Sequence, residues 1–303
     1  MACWSEILNE ANQQADPITY LNDKRIAVLN EISSRTGRNV ITYYSSWLRG
    51  YTTEYQSIND DDKNAFMQAV YKLDKTKGLD LILHTPGGDI AATESIIDYL
   101  HSIFNGNIRT IVPQMAMSAG TMIALSSEVI MMGKQSSLGP IDPQIGGVAC
   151  GAVLDEFNQA KEDVKNDISC LGLWQVIISK YNPTFLVSCA RAQEWSTELA
   201  EKWIKDGPNK KSIIETFSDH TNSKSHSRHI SKDKCKAVGL NIEDMENDDY
   251  LQDLILTLHH CYMIFFEKTI VVKAIENNIK ASYFRLFNPN PQPVNPEIKS
   301  DIT

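Results

Sequence analysis

Two periodicities of apolar residues divide the first half of the chain into short segments. Runs rich in β-branched or aromatic residues are typical of strands, and apolar residues three or four positions apart are typical of helices. Strands are predicted over Asn39–Trp47, Leu79–His84, Ile108–Pro113 and Glu128–Met132. Helices are predicted over Leu21–Ser33, Asp62–Leu73, Ala91–Phe104 and Ser118–Ser126. Strands separated by helices predict an α/β fold of repeated β-α-β units, with a mostly parallel sheet and right-handed crossovers.

The second half of the chain is predominantly helical in pattern. Leu171–Ala200 predicts two helices interrupted near Pro183, and the apolar-rich run Tyr250–Phe284 predicts one or two more. Apolar residues on more than one face of that run indicate that it docks on the core or on another subunit. We therefore divide the chain into an α/β domain over residues 1–243, a helical C-terminal extension for docking or oligomerisation over 244–287, and a proline-rich flexible tail over 288–303.

The charge and the cysteines narrow the classes of function. The formal net charge is -9 and Lys and Arg form no dense stripe, so we expect no nucleic-acid partner. The six cysteines form no C-x-x-C pair, which indicates reduced thiols and no zinc motif. The N-terminus lacks a signal-peptide pattern, and charged residues interrupt the most apolar stretch, Leu251–Val272. These features predict a cytoplasmic protein without a transmembrane segment.

Three unusual loops follow predicted strands of the same sheet. They are Pro86-Gly87-Gly88, the segment that contains Ser118, and the loop Gly139–Pro143. Ligand chemistry in parallel sheets takes place at the carboxyl ends of the strands, so we expect the three loops at one edge of the sheet. The sequence therefore predicts a functional site at this edge.

The segment Ala116–Gly120 places Ser118 between a predicted strand and a predicted helix. Small flanking residues permit the tight turn of a nucleophile elbow, which presents the serine hydroxyl above the sheet. The segment alone also fits a serine that only caps the helix. Gly87 and Gly88 favour the nucleophile, because an amide without a neighbouring Cβ can approach a substrate closely. The N–H groups of Gly88 and Ala119 would then form a two-donor oxyanion hole.

Three ordered motifs carry a family resemblance. They are Leu81–Gly88 (LILHTPGG), Val112–Thr121 (VPQMAMSAGT) and Leu138–Gln144 (LGPIDPQ). In this order they closely resemble the serine dehydrogenase proteinase family, which belongs with signal peptide peptidase A and the Clp protease proteolytic subunit in the Clp/crotonase superfamily. The strong similarity covers about Asn39–Gln144, and a weaker one covers Ser225–Gly239. The resemblance implies a Clp/crotonase-like fold with helical C-terminal additions and a homo-oligomer that acts on polypeptides.

The resemblance also implies roles for individual residues. Ser118 is then the acylating nucleophile, and Gly88 and Ala119 hold the oxyanion. The general base stays open, because the loop position at which the Clp subunit has a histidine holds Asp142 here. One arrangement that satisfies a catalytic triad has His226 as the base and Asp142 as the residue that orients it.

Other bases and other roles remain open at this point. Signal peptide peptidase relatives use a Ser–Lys dyad, for which Lys134 and Lys180 are the candidates here. We rank His226 above both, because each lysine is predicted to be exposed, and burial would have to lower its pKa. His226 lies in a polar stretch that also fits an exposed histidine, and Asp142 also fits a brace for its own loop.

The predicted activity is hydrolysis of peptide bonds through a Ser118 acyl-enzyme, independent of ATP by itself. No H-E-x-x-H motif, Walker loop or G-x-G-x-x-G is present, so we expect no metal and no other cofactor. Two other classes stay open. A crotonase-like acyl-thioester enzyme needs the same oxyanion hole, and a catalytically idle scaffold agrees with the missing loop histidine.

Overall fold

The structure is a computed structural model that describes residues 3–49, 54–218 and 225–287. Its helices are α1 (Trp4–Asn12), α2 (Pro17–Thr36), α3 (Asp61–Val70), α4 (Ile90–Phe104), α5 (Ala119–Leu125), α6 (Cys150–Asn166), α7 (Leu171–Ile178), α8 (Phe185–Trp203), α9 (Lys210–Ser218), α10 (Lys232–Ala237) and α11 (Asp249–Lys268). Its strands are β1 (Asn39–Ser45), β2 (Leu79–His84), β3 (Ile108–Val112), β4 (Met115–Ala116), β5 (Val129–Met132), β6 (Ser137–Leu138), β7 (Gln144–Ile145), β8 (Val148–Ala149), β9 (Ile230–Ser231), β10 (Ile242–Asp244), β11 (Val271–Asn277) and β12 (Ser282–Leu286). The flexible tail predicted over 288–303 lies outside the described residues.

The main sheet of the described chain has seven strands in the order β10-β5-β3-β2-β1-β11-β12. The five strands from β10 to β1 run parallel, whereas β11 and β12 join antiparallel at one side. The α/β fold with a mostly parallel sheet is therefore confirmed. A small sheet of β4, β6 and β9 lies beside the carboxyl end of β2, to which β4 is joined by a bridge between Thr85 and Ala116.

Two apolar cores cover the faces of the main sheet. Successive side chains of a strand point to opposite faces, so Leu81 and Leu83 pack with α3, α4 and α5, whereas Ile82 packs with α1, α2 and α11. Every residue of β1 and β2 is buried, which explains why neither sequence alternates strictly between apolar and polar residues. No helix in the described part of the chain combines the length and the apolar content that a membrane span needs.

The C-terminal run differs from its prediction after residue 268. The first part is the predicted helix, α11, and it packs against α2. The prediction of helix over the second part is wrong, because Val271–Asn277 and Ser282–Leu286 are strands. In β11, Lys273 and Glu276 are buried on opposite faces of the sheet, each in an ion pair. The domain boundary after residue 243 stays a prediction.

Candidate active site

The bridge between Thr85 and Ala116 brings the glycine turn (Pro86–Gly88) beside the segment that contains Ser118. Thr85 donates its N–H to the Met115 carbonyl (3.2 Å), and Met117 donates its N–H to the Thr85 carbonyl (3.0 Å). Two residues beyond the bridge, one segment reaches Gly87 and the other reaches Ser118. A Cβ on Gly87 would lie 2.7 Å from the Ser118 Cβ, so only glycine fits at this approach.

Ser118 has a strained backbone. Its φ is 51° and its ψ is -119°, in a region that non-glycine residues rarely occupy. Such a conformation costs about 1–3 kcal/mol and is held by the surrounding structure, as expected of a nucleophile elbow. The hydroxyl makes no capping hydrogen bond to α5, so the simple helix-cap alternative has no support here.

The amides of Gly88 and Ala119 are available at this turn. The two glycines differ, because Gly87 donates its N–H to the Thr85 hydroxyl (3.2 Å). Within the described residues, neither the Gly88 N–H nor the Ala119 N–H donates to another main-chain group. Ala119 is the first residue of α5, where N–H groups lack intrahelical acceptors and favour negative charge. These two N–H groups can therefore donate hydrogen bonds to an anionic oxygen.

Asp142 and His226 form a hydrogen-bonded pair. The His226 Nδ1 lies 2.9 Å from the Asp142 Oδ1, and the side chains are 24% and 2% exposed. A carboxylate can only accept, so we assign the proton to Nδ1, which leaves the Nε2 lone pair free to accept. Antiparallel pairing of β6 with β9 brings these two chain segments together, although 84 positions separate the residues.

A cavity of about 390 Å³ joins these groups. Its lining includes Gly88, Ser118, Ala119, Asp142 and His226, which are all five residues that the sequence predicts for the site. Apolar side chains form much of the remaining wall: Ile90, Met122, Ile141, Ile145, Ala192 and Trp195. The cavity can therefore hold a chain with apolar side chains beside the Ser118 hydroxyl.

The two lysines that are alternative bases lie outside the cavity lining, and the buried thiol of Cys150 is not activated. Lys134 and Lys180 are exposed, and neither belongs to the lining of the cavity. Cys150 is the buried thiol nearest in sequence to Asp142, and burial together with Cys189 raises its pKa to about 12. A thiol with that pKa is protonated at neutral pH and is a poor nucleophile.

His84, which immediately precedes the bridge residue Thr85, belongs to the opposite face of the main sheet. It is fully buried and packs against Trp47 (ring centroids 4.3 Å apart) and His259 (5.0 Å). Burial lowers the pKa of His84 well below 6.5, and burial together with His260 lowers the pKa of His259 to about 3. His84 therefore packs at the end of β2, and both rings are neutral in the folded protein.

The two neutral histidines predict acid-dependent stability. Unfolding restores a pKa near 6.5 to each ring, so below that pH the unfolded chain binds protons that the folded chain does not. The free energy of unfolding should fall as the pH decreases, by up to about 1.4 kcal/mol per pH unit for each histidine. Urea unfolding at intervals between about pH 7 and pH 5 measures it. His259→Leu should have a shallower slope, and an unchanged slope would contradict the assignment.

No sequence motif identifies the segment beside the glycine turn, Ser57–Asn59. Ser57 lines the cavity, and Ile58 forms a parallel bridge with Gly88. The two segments are 30 residues apart and pair outside the regular strands, so no local pattern of apolar residues marks them. Only the absence of a Cβ at Gly88 hinted that a backbone approaches closely there.

The chain is similar in sequence to a known protein family and to two other proteins. A family model described as ClpP-like SDH-type serine proteinase matches residues 14–247. The uncharacterized protein MJ0137 of Methanocaldococcus jannaschii is 35% identical over 147 residues, which are 47% of this chain and 51% of that protein. The uncharacterized protein MJ1495 of the same organism is 30% identical over 200 residues, which are 61% of this chain and 67% of that protein. The chain thus spans about half the length of the first relative and about two thirds of the second.

Proposed function

Because the chain belongs to the family of ClpP-like SDH-type serine proteinases, we propose that it hydrolyses peptide bonds through an acyl-enzyme on Ser118. The observation that carries the proposal is the single cavity lined by Ser118, His226 and the Gly88 and Ala119 amides. This constellation supplies a nucleophile, a base and an oxyanion hole, which are the groups that acyl transfer needs.

The proposed reaction proceeds in two halves. The Ser118 Oγ attacks the scissile carbonyl carbon and its proton passes to the His226 Nε2, while the Asp142 carboxylate holds the Nδ1–H and stabilises the imidazolium. The carbonyl oxygen becomes an oxyanion, which the Gly88 and Ala119 N–H groups bind. Collapse of the tetrahedral intermediate releases the amine with the proton from His226. Water then hydrolyses the ester by the same route.

Substrate, location and assembly complete the proposal. The substrate is a polypeptide that enters in an extended form, because the site is a cavity with apolar walls and no ionisable side chain other than those of Asp89, Asp142 and His226 in its described lining. All six cysteines are free, which supports a reducing compartment such as the cytoplasm. The homo-oligomer and the independence from ATP stay predictions.

The general base gives the first test. His226→Ala should lower kcat for cleavage of an unfolded polypeptide by about 10²- to 10⁴-fold, because Ser118 loses its proton acceptor. His229→Ala is the matched control, since His229 is three residues away and bonds to the Ser137 hydroxyl (2.9 Å) outside the cavity lining. The measurement is the rate of peptide release, with circular dichroism to establish that each variant is folded.

Other outcomes discriminate among the alternatives. If His226→Ala retains full activity, another group is the base, and Lys134→Met and Lys180→Met become the informative variants. If the wild type cleaves no polypeptide and a fluorophosphonate labels no serine, the protein is an idle scaffold. Turnover of acyl-thioesters without peptide cleavage would instead indicate the crotonase-like chemistry.

A further inference from the structure

A buried ion pair, Lys273–Asp62, contacts the segment Ser57–Asn59, which lies beside the glycine turn. The Lys273 Nζ donates to both carboxylate oxygens of Asp62, at 2.7 and 2.8 Å, and each side chain is 2% exposed. Its third donor bond goes to the Ser57 carbonyl, at 2.8 Å. An ammonium has three N–H groups, so every donor of Lys273 has an acceptor, and these three bonds fix the orientation of its ammonium group.

Asp62 also bonds to this segment, at Asn59, on the C-terminal side of Ile58. Its Oδ2 accepts the Asn59 N–H (3.0 Å) and the Tyr43 hydroxyl (2.9 Å) in addition to Lys273. Ser57 and Asn59 are thus both anchored, and Ile58 lies between them. A buried ion pair is weak evidence for stability, because the loss of hydration offsets the attraction. The pair instead gives these three residues one defined position.

Ile58 in turn determines where the glycine turn can lie. Ile58 donates its N–H to the Gly87 carbonyl (2.8 Å) and accepts the Asp89 N–H (2.9 Å). A parallel bridge of this kind uses the groups of the two neighbours, so the N–H of Gly88 points away from Ile58. The contact is close, since a Cβ on Gly88 would lie 2.3 Å from the Ile58 N and O.

We propose that Lys273 and Asp62 are positioning residues for catalysis, which fix the Gly88 amide through Ser57, Ile58 and Asn59. The inference rests on the proposed function, because it takes Gly88 as an oxyanion donor. Neither residue touches the substrate. An oxyanion donor displaced by a few tenths of an ångström stabilises the transition state less, while binding of the ground state is little changed.

The test compares two buried ion pairs on the same strand. Lys273→Met removes the pair behind the turn, whereas Glu276→Gln weakens the pair with Arg25 (2.8 Å) on the other face of β11. Both variants should lower the melting temperature. Below that temperature, Lys273→Met should lower kcat by about 10-fold or more with KM within about 2-fold of the wild type, and Glu276→Gln should leave both unchanged. If Lys273→Met does not fold, Asp62→Asn takes its place.

Amide hydrogen exchange separates this inference from the proposed function, because it needs no activity. The Ile58 and Asp89 amides should exchange at least about 10-fold faster in Lys273→Met and at the wild-type rate in Glu276→Gln. Equal kcat values for the two variants, or unchanged exchange at Ile58 and Asp89, would overturn the positioning role. A wild type that is inert and unlabelled by a fluorophosphonate would overturn the proposed function, and exchange would then decide alone whether the pair holds the turn.

Discussion

Replacement of Ser118 by alanine should lower kcat/KM for peptide cleavage by about 10⁴-fold or more, because no acyl-enzyme can form. What remains would come from the oxyanion amides and from substrate binding. Peptide release from an unfolded polypeptide measures the loss, and a fluorophosphonate should label the wild type at Ser118 and leave the variant unlabelled. Ser102→Ala, an exposed serine on α4, is the matched control and should retain wild-type activity.

The strained backbone at Ser118 supplies a second readout for the same position. At φ 51° and ψ -119° alanine keeps the strain of serine, whereas glycine adopts these angles freely. Ser118→Gly should therefore be inactive but more stable than Ser118→Ala, by about 1 kcal/mol in urea unfolding. Activity in either variant would mean that another residue is the nucleophile. If both variants are inactive and equally stable, Ser118 is still the nucleophile, but its backbone conformation carries no measurable strain.

The sequence predicts those parts of the fold that depend on local pattern. Leu79–His84 is a strand with the predicted bounds, and α7 and α8 flank Pro183 as expected. The apolar-rich run predicts helix where β11 lies, because the strand forms only by pairing with β1, more than 200 positions away in the sequence. Its buried Lys273 and Glu276 are tolerated only because Asp62 and Arg25 neutralise them, and no local pattern reveals those partners.

In the candidate site, too, the sequence predicts the residues that stand in local motifs and not those that act through tertiary contacts. Ser118 and the glycine pair stand in short motifs, so their types and spacing could be interpreted directly. The pairing of His226 with Asp142 was predicted as one of several arrangements, and the structure brings the two side chains to 2.9 Å. Their catalytic roles stay predictions. Lys273, Asp62 and Ile58 could not be predicted, because what they do for the site depends entirely on tertiary contacts.

Gly88 carries the second large expected effect. In Gly88→Ala the new Cβ would lie 2.3 Å from the Ile58 N and O, well inside van der Waals contact with main-chain atoms that cannot rotate away. The glycine turn and the Ile58 segment must then separate, which breaks the bond from the Ile58 N–H to the Gly87 carbonyl and turns the Gly88 amide away from the oxyanion. Loss of one oxyanion donor costs about 10²- to 10³-fold in kcat, so a decrease of that order is expected.

The control for this substitution is Gly172→Ala on α7, where nothing lies within 4 Å of the added Cβ. It should leave kcat unchanged and stabilise the helix slightly, since alanine favours helix over glycine by about 1 kcal/mol. Kinetics with an unfolded polypeptide measure both variants, and thermal unfolding establishes that Gly88→Ala is folded at the assay temperature. A folded Gly88→Ala enzyme with wild-type kcat would show that the oxyanion is held by other donors. A decrease in kcat without a matching rise in KM would instead locate the defect in the transition state, because the Gly88 N–H bonds strongly only to the charged oxygen that forms there.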